Sequence, residues 1–179
     1  MTKYQLAKLI AMAEGLKSRK RIQKTVHLLQ VAGCPIDADY RLHYYGPYSS
    51  DVAELLDEMT ANGLLEEKAE ELTPGKQQYN YSLPENVRHS MEEFEQSERG
   101  DGATKEMTAF APLLRDLCGQ PAKTLEYAST IAYFVKVGRD WESAVEETAK
   151  YKNVTPASAS LIHARELAER VVQQGDGND

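Results

Sequence analysis

Apolar residues recur at helical spacing over most of the chain and give way to an extended pattern in two short stretches. Leu6, Leu9, Ile10 and Ala13 mark a first helix over residues 3–14, which stops at Gly15. Ser18 is a candidate N-cap for a second helix running to about Ala32, ended by Gly33 and Pro35. In that helix Ile22, Val26 and Leu29 share one face, so the pattern places Lys20, Lys24 and His27 on the opposite, solvent side. From Ile36 to Tyr45 the chain reads as extended and rich in Tyr, until Gly46-Pro47 breaks it. A third helix follows from about Ser50 to Asn62, with Val52, Leu55, Leu56 and Met59 inward and Gly63 just beyond its end. Leu64-Leu65 opens a short strand, Thr73-Pro74-Gly75-Lys76 makes a turn, and Gln77 to Leu83 returns as a second strand with Tyr79 and Tyr81 in alternation.

Three helices followed by a two-stranded hairpin outline a winged helix. Pro84 to about Gln96 reads as a trailing acidic helix, and the small, polar segment 97–102 with its two glycines reads as a linker. Beyond it the pattern is wholly helical. One helix carries Met107, Phe110, Leu113, Leu114 and Leu117; the next, capped by Thr124, carries Leu125, Ala128, Ile131, Ala132 and Val135. A third starts at Asp140, and Thr155-Pro156 opens the last, through Leu161, Ala164, Ala168 and Val171. The expected architecture is therefore mainly α. A winged-helix-like unit spans 1–96, a helical unit 103–174 and a disordered tail 175–179.

Composition narrows the class. The 179 residues are 41% hydrophobic and 27% charged, a globular balance able to bury a core without staples. No apolar run reaches the roughly 18 residues of a membrane span, and no charged-then-apolar leader opens the chain, so a soluble, unexported, cytoplasmic protein is expected. Two cysteines, Cys34 and Cys118, fit a reducing compartment. The net charge of −7 conceals an asymmetry: the first thirty residues hold seven cations against Glu14 alone. Such a patch can attract phosphate or an acidic partner, and a solvated helix face explains it equally well.

The phrase Ile22-x-Lys24-x-x-x-Leu28-Leu29-Gln30, then Leu42-His43-Tyr44-Tyr45-Gly46-Pro47-Tyr48-Ser49, then Leu55-Leu56 and Asn62-Gly63-Leu64-Leu65, resembles the YwgA-like family. The second half is similar too, in Leu125-Glu126-x-Ala128-x-x-Ile131, in Lys150, Thr155 and Leu161-Ile162, and in Ala164. The resemblance covers roughly residues 20 to 172 and implies a winged-helix-like protein with a C-terminal helical extension. It implies no particular chemistry or ligand. A more distant similarity links the Tyr-Gly-Pro step to antitoxin-type Panacea domains.

Two sets of candidate residues follow. Arg19, Lys20, Arg21 and Lys24, with Lys76 in the wing, are the candidates for contact with a nucleic acid backbone. The third helix carries Asp51, Glu54, Asp57 and Glu58 and no basic residue, which argues against its entry into a DNA groove. His43, Tyr45 and Tyr48, with Glu54, Asp57 and Glu58, are the candidates for a partner or ligand surface. Alternation sets Tyr44 on the face opposite His43 and Tyr45, so the tyrosines of this segment cannot all line one pocket, and packing is the competing explanation for them.

Catalysis finds little support. His27, His43, His89 and His163 lie in separate segments without metal-ligand spacing, neither cysteine forms a Cys-x-x-Cys pair, and Gly100-Asp101-Gly102 is not a phosphate loop. The expectation is a non-enzymatic protein without metal or cofactor. It is either a regulator that meets double-stranded DNA through its basic second helix or an adaptor that docks a protein through its acidic third helix. A symmetric homodimer would suit a regulator of this outline.

Overall fold

The structure, a computed structural model, describes residues 1–177. In chain order its elements are α1 (Lys3–Met12), β1 (Leu16–Lys17), α2 (Arg19–Val31), β2 (Arg41–His43), β3 (Gly46–Tyr48), α3 (Ser50–Ala61), β4 (Glu66–Thr73) and β5 (Lys76–Ser82). There follow α4 (Glu85–Glu95), α5 (Glu98–Thr108), α6 (Ala111–Gly119), α7 (Ala122–Lys136), α8 (Trp141–Lys152) and α9 (Ala159–Asp176). The fold is mainly helical. Strands β1, β5 and β4 form one antiparallel sheet in that order, and β2 and β3 pair separately. No helix among the described residues is long and apolar enough to cross a membrane.

Local chemistry sets the element ends. Thr2 and Gln5 form a reciprocal capping box at the start of α1. Ser18 caps α2 through its hydroxyl at a positive φ of 56°, and its N–H donates to the Tyr79 carbonyl at 2.7 Å, which ties the helix start to the sheet. Asp140 accepts from the Ser143 N–H at 2.8 Å to begin α8. The apolar run expected as one helix over 107–117 is two: α5 ends at Thr108 and α6 restarts with Pro112 in its first turn, where a residue without an N–H costs nothing. Helix α7 starts at Ala122, ahead of the Thr124 cap expected for it. The last helix starts after Ser158, three residues beyond the expected Thr155-Pro156 opening.

Helix α2 lies at the centre. Helices α7, α9 and α6 pack on it from the second half of the chain, while α3 and β3 pack on it from the first. Every residue from Ile22 to Leu29 is consequently buried. This corrects the solvent face expected for Lys24 and His27, which are only 2% and 5% exposed. A one-sided amphipathic pattern cannot register a second layer whose own apolar stripe covers the polar side. His27 makes this burial neutral: its Nδ1 is 2.9 Å from Ser129 Oγ, its ring stacks edge-on against Tyr40, and burial holds its pKa down at about 3.

Two segments read as flexible are helical. Residues 97–102 form the N-cap and first turn of α5, and a Cβ on Gly100 would lie 2.0 Å from the Phe94 carbonyl. Gly175 is buried inside α9, where a Cβ would sit 2.2 Å from the Val31 carbonyl at the end of α2. Both glycines serve close backbone approach rather than flexibility. The last two residues of the expected tail, Asn178 and Asp179, lie outside the described residues. The buried apolar side chains form one cluster that runs from Leu6 in α1 to Val172 in α9.

Candidate binding cavity

The Tyr-Gly-Pro-Tyr-Ser stretch builds the site. Gly46-Pro47, expected to break the extended segment, instead opens β3, and the hairpin turns through Tyr44 and Tyr45 with His43 opposite Gly46. Gly46 takes the positive φ of 86° that closes the turn, and its bare Cα presses on α7: a Cβ there would lie 2.5 Å from Thr130 Oγ1. At the other end, the Gln23 side chain exchanges two hydrogen bonds with the Ser49 backbone, donating to its carbonyl at 2.8 Å and accepting from its N–H at 2.9 Å. Ser49 then caps α3 with its hydroxyl, 3.3 Å from the Val52 N–H. The motif thereby locks the hairpin between α2, α3 and α7.

Between α2, α3 and the hairpin lies a cavity of about 370 Å³. Ile22, Val52 and Leu56 supply its hydrocarbon wall; Arg19, Lys20 and Lys24 supply cations; His43, Tyr45 and Tyr48 come from the hairpin, and Asp57 from α3. The Lys20 ammonium lies 4.4 Å from the centre of the Tyr45 ring, within cation–π range. The structure therefore unites most of the two candidate sets, which lie far apart in sequence, in one place.

The cations are held by the protein's own acceptors. Arg19 reaches Asp57 at 2.5 Å, Glu67 at 3.2 Å and the Tyr81 hydroxyl at 2.8 Å. Lys20 pairs with one oxygen of Glu126, and Lys152 donates to the other at 2.7 Å. Lys24 donates to the Pro47 carbonyl. Burial pushes the Lys24 ammonium down to about 8, with the Glu126 charge opposing the fall and the Lys152 and Lys20 charges adding to it. Burial pushes the Glu126 carboxyl up, but its hydrogen bonds to Lys152 and Lys20 outweigh this and hold it below the usual carboxylate range. Lys152 is lowered, by burial first, against the attraction of Glu126.

The remaining candidates lie elsewhere. Arg21 points away from the cavity and donates to the Cys118 and Gln120 carbonyls, both at 2.8 Å, where it caps the C-terminus of α6. Lys76 sits at the exposed tip of the β4–β5 hairpin. Glu58 is exposed and pairs with Lys3 at 2.6 Å, and Glu54 is exposed on α3. Tyr44 is 76% exposed and Tyr40 packs on His27, so neither lines the cavity, in keeping with the alternation argument. Sequence reasoning missed Gln23, Glu126 and Lys152. Glu126 carried a signal, a carboxylate embedded in the apolar run of α7; Lys152 carried none, since its neighbours are those of any solvated helix end.

No protein-family model matches the chain. The chain is similar to the uncharacterized protein YwgA of Bacillus subtilis (strain 168). The two are 28% identical over 130 residues, which span 73% of this chain and 72% of YwgA. The match supports the YwgA-like resemblance carried by the hairpin motif.

Proposed function

We propose that this chain is a non-enzymatic, regulator-like protein on a winged-helix-like scaffold, and that it works by binding at the hairpin cavity rather than by laying α2 on DNA. The element order helix–strand–helix–hairpin–helix–hairpin, with β1 joining the β4–β5 sheet and the β2–β3 hairpin inserted between α2 and α3, supports the scaffold reading. One observation carries the functional part. The cations of α2 are turned onto internal acceptors: Arg21 and Lys24 onto backbone carbonyls, Arg19 and Lys20 onto carboxylates. Backbone recognition requires cations free to replace the counterions of phosphates. The surfaces that would flank a duplex are acidic, with Glu54 on α3 and Glu66, Glu70 and Glu71 on β4.

Fluorescence anisotropy with mixed-sequence duplex DNA, at low and near-physiological salt, tests this. The expected result is no binding that persists at near-physiological salt. Persistent binding that disappears in a Lys20→Glu/Lys76→Glu variant would return the protein to the nucleic-acid reading.

An adaptor role is favoured by a separate observation: Tyr44, Tyr45 and Tyr48 are all exposed on one short hairpin, and aromatic residues are enriched at protein interfaces. On this reading the docking face is the hairpin together with Glu54, because Asp57 and Glu58 are already paired. A photo-crosslinker at position 44 that captures one defined protein, with capture lost in Tyr45→Ala, would move the adaptor role to first place.

A further inference from the structure

Where the β2–β3 hairpin meets α7 and α8, three ammonium groups gather around one carboxylate. Glu126 receives Lys152 and Lys20, and Lys24 donates to Pro47 in the same cluster. Lys24 is 2% exposed, and the side chains of Lys152 and Glu126 are 5% and 12% exposed. Asp57 on the cavity wall and Glu67 beside it offset only part of this excess, because both are engaged by Arg19 and leave one net negative charge against the two net positive charges of the lysine cluster. The Lys24 ammonium has three protons and, among the described residues, one hydrogen-bond acceptor. Positive charge removed from water in this way is expensive, and an anion that takes the remaining protons stabilises it.

The cavity constrains what that anion is attached to. Lys20 and Lys24 line it with ammonium groups, and Ile22, Val52 and Leu56 add a hydrocarbon wall. Inorganic phosphate would leave that wall unused. The volume of about 370 Å³ falls at the lower end of the roughly 300–1,000 Å³ typical of small-molecule sites, which suits a single compact ligand. Arg19, held by two carboxylates and a phenol, is not free to clamp a second anionic group.

We propose that the cavity binds a small amphipathic anion, a carboxylate or phosphate head on an aromatic or aliphatic body. The head sits on Lys24 and Lys20, and the body lies between α2 and α3 against Ile22, Val52 and Leu56. This rests on the reading of the cavity as the working site. Tyr45 and Tyr48 stand at the hairpin side, where their rings cover a planar body.

Isothermal titration calorimetry at pH 7 with 1-naphthaleneacetate, 1-naphthyl phosphate and the neutral 1-naphthaleneacetamide separates head from body. At least one anion binds tenfold or more tightly than the amide, and the stronger of the two identifies the head. Lys24→Met reduces that anion to the affinity of the amide, and Ala53→Trp, which fills the cavity, abolishes binding of all three. Circular dichroism confirms that each variant is folded, and Ala53→Met provides the same block should the larger side chain unfold the protein. If the amide binds as tightly as the anions, or if Lys24→Met leaves anion affinity unchanged, the anion inference is overturned and the cavity reading survives. Anion binding untouched by either block at position 53 places the ligand elsewhere and overturns the proposal. If none of the three probes binds, the cavity reading falls with it.

Discussion

A buried lysine beside two other lysines should cost stability, and Lys24→Met measures how much. Lys24 falls from the ordinary 10.5 to about 8 on folding, chiefly because burial disfavours its charged form. That difference corresponds to about 3 kcal/mol of penalty for holding the ammonium charged in the folded state. The sign follows from proton counts. Between pH 8 and 10.5 the unfolded chain retains a proton on Lys24 that the folded chain has lost, so wild-type stability gains from this group as pH rises through that window. The penalty is fully present below pH 8 and gone above about pH 10.5. Methionine has similar length and no charge, but it leaves the Pro47 carbonyl without its donor, an offset of about 1–2 kcal/mol. Lys24→Met is therefore expected to be more stable than wild type at pH 7 by about 1–2 kcal/mol. The difference should move by about 3 kcal/mol in favour of wild type by pH 10.5. Urea denaturation followed by circular dichroism across pH 7–10.5 reads both quantities, and the other titrating groups largely cancel in the difference. A variant less stable than wild type at pH 7, together with a pH-independent difference, would refute the claim that Lys24 is charged and strained by burial. A lysine retained at such a cost is what a site that needs its charge requires.

Further outcomes test the surrounding structure. Gly46→Ala should cost about 2–4 kcal/mol, combining left-handed backbone strain with the clash on Thr130; pairing it with Thr130→Ala should recover the steric part in a double-mutant cycle of chemical denaturation. Glu126→Gln leaves Lys20 and Lys152 without their carboxylate and is expected to destabilise by about 3 kcal/mol at pH 7 by the same assay. Arg21→Met should lose about 1–2 kcal/mol from the uncapped end of α6 while anion affinity in the cavity stays unchanged, which calorimetry would show. Affinity for a bound anion should fall by up to about tenfold per pH unit above pH 8, as Lys24 loses its proton, and the fall should be absent in Lys24→Met.

Much of this molecule was legible from local pattern. The first three helices, the β4–β5 hairpin with its turn at 73–76, and the caps at Ser18 and Asp140 follow from spacing, turn chemistry and capping, which act over a few residues. The importance of the Tyr-Gly-Pro-Tyr-Ser stretch was also visible, although not its two-stranded form. What sequence could not decide is which polar side chains meet across the chain. Lys24 and His27 read as solvent-facing because the spacing of Ile22, Val26 and Leu29 records one buried face; the second layer, α7 and α9, arrives from more than ninety residues away. The glycines at 100 and 175 read as flexible because composition cannot distinguish a missing side chain that confers freedom from one that permits contact. The charged site has the same origin. Its cations lie on α2 and α8, its carboxylate on α7 and its carbonyl on β3, and burial lowers the proton affinity of Lys24 and Lys152 only once all four elements are packed together. Local sequence determined the first three helices, the β4–β5 hairpin and the caps at Ser18 and Asp140, whereas the electrostatics of the cavity arise from desolvation, which only the tertiary structure imposes.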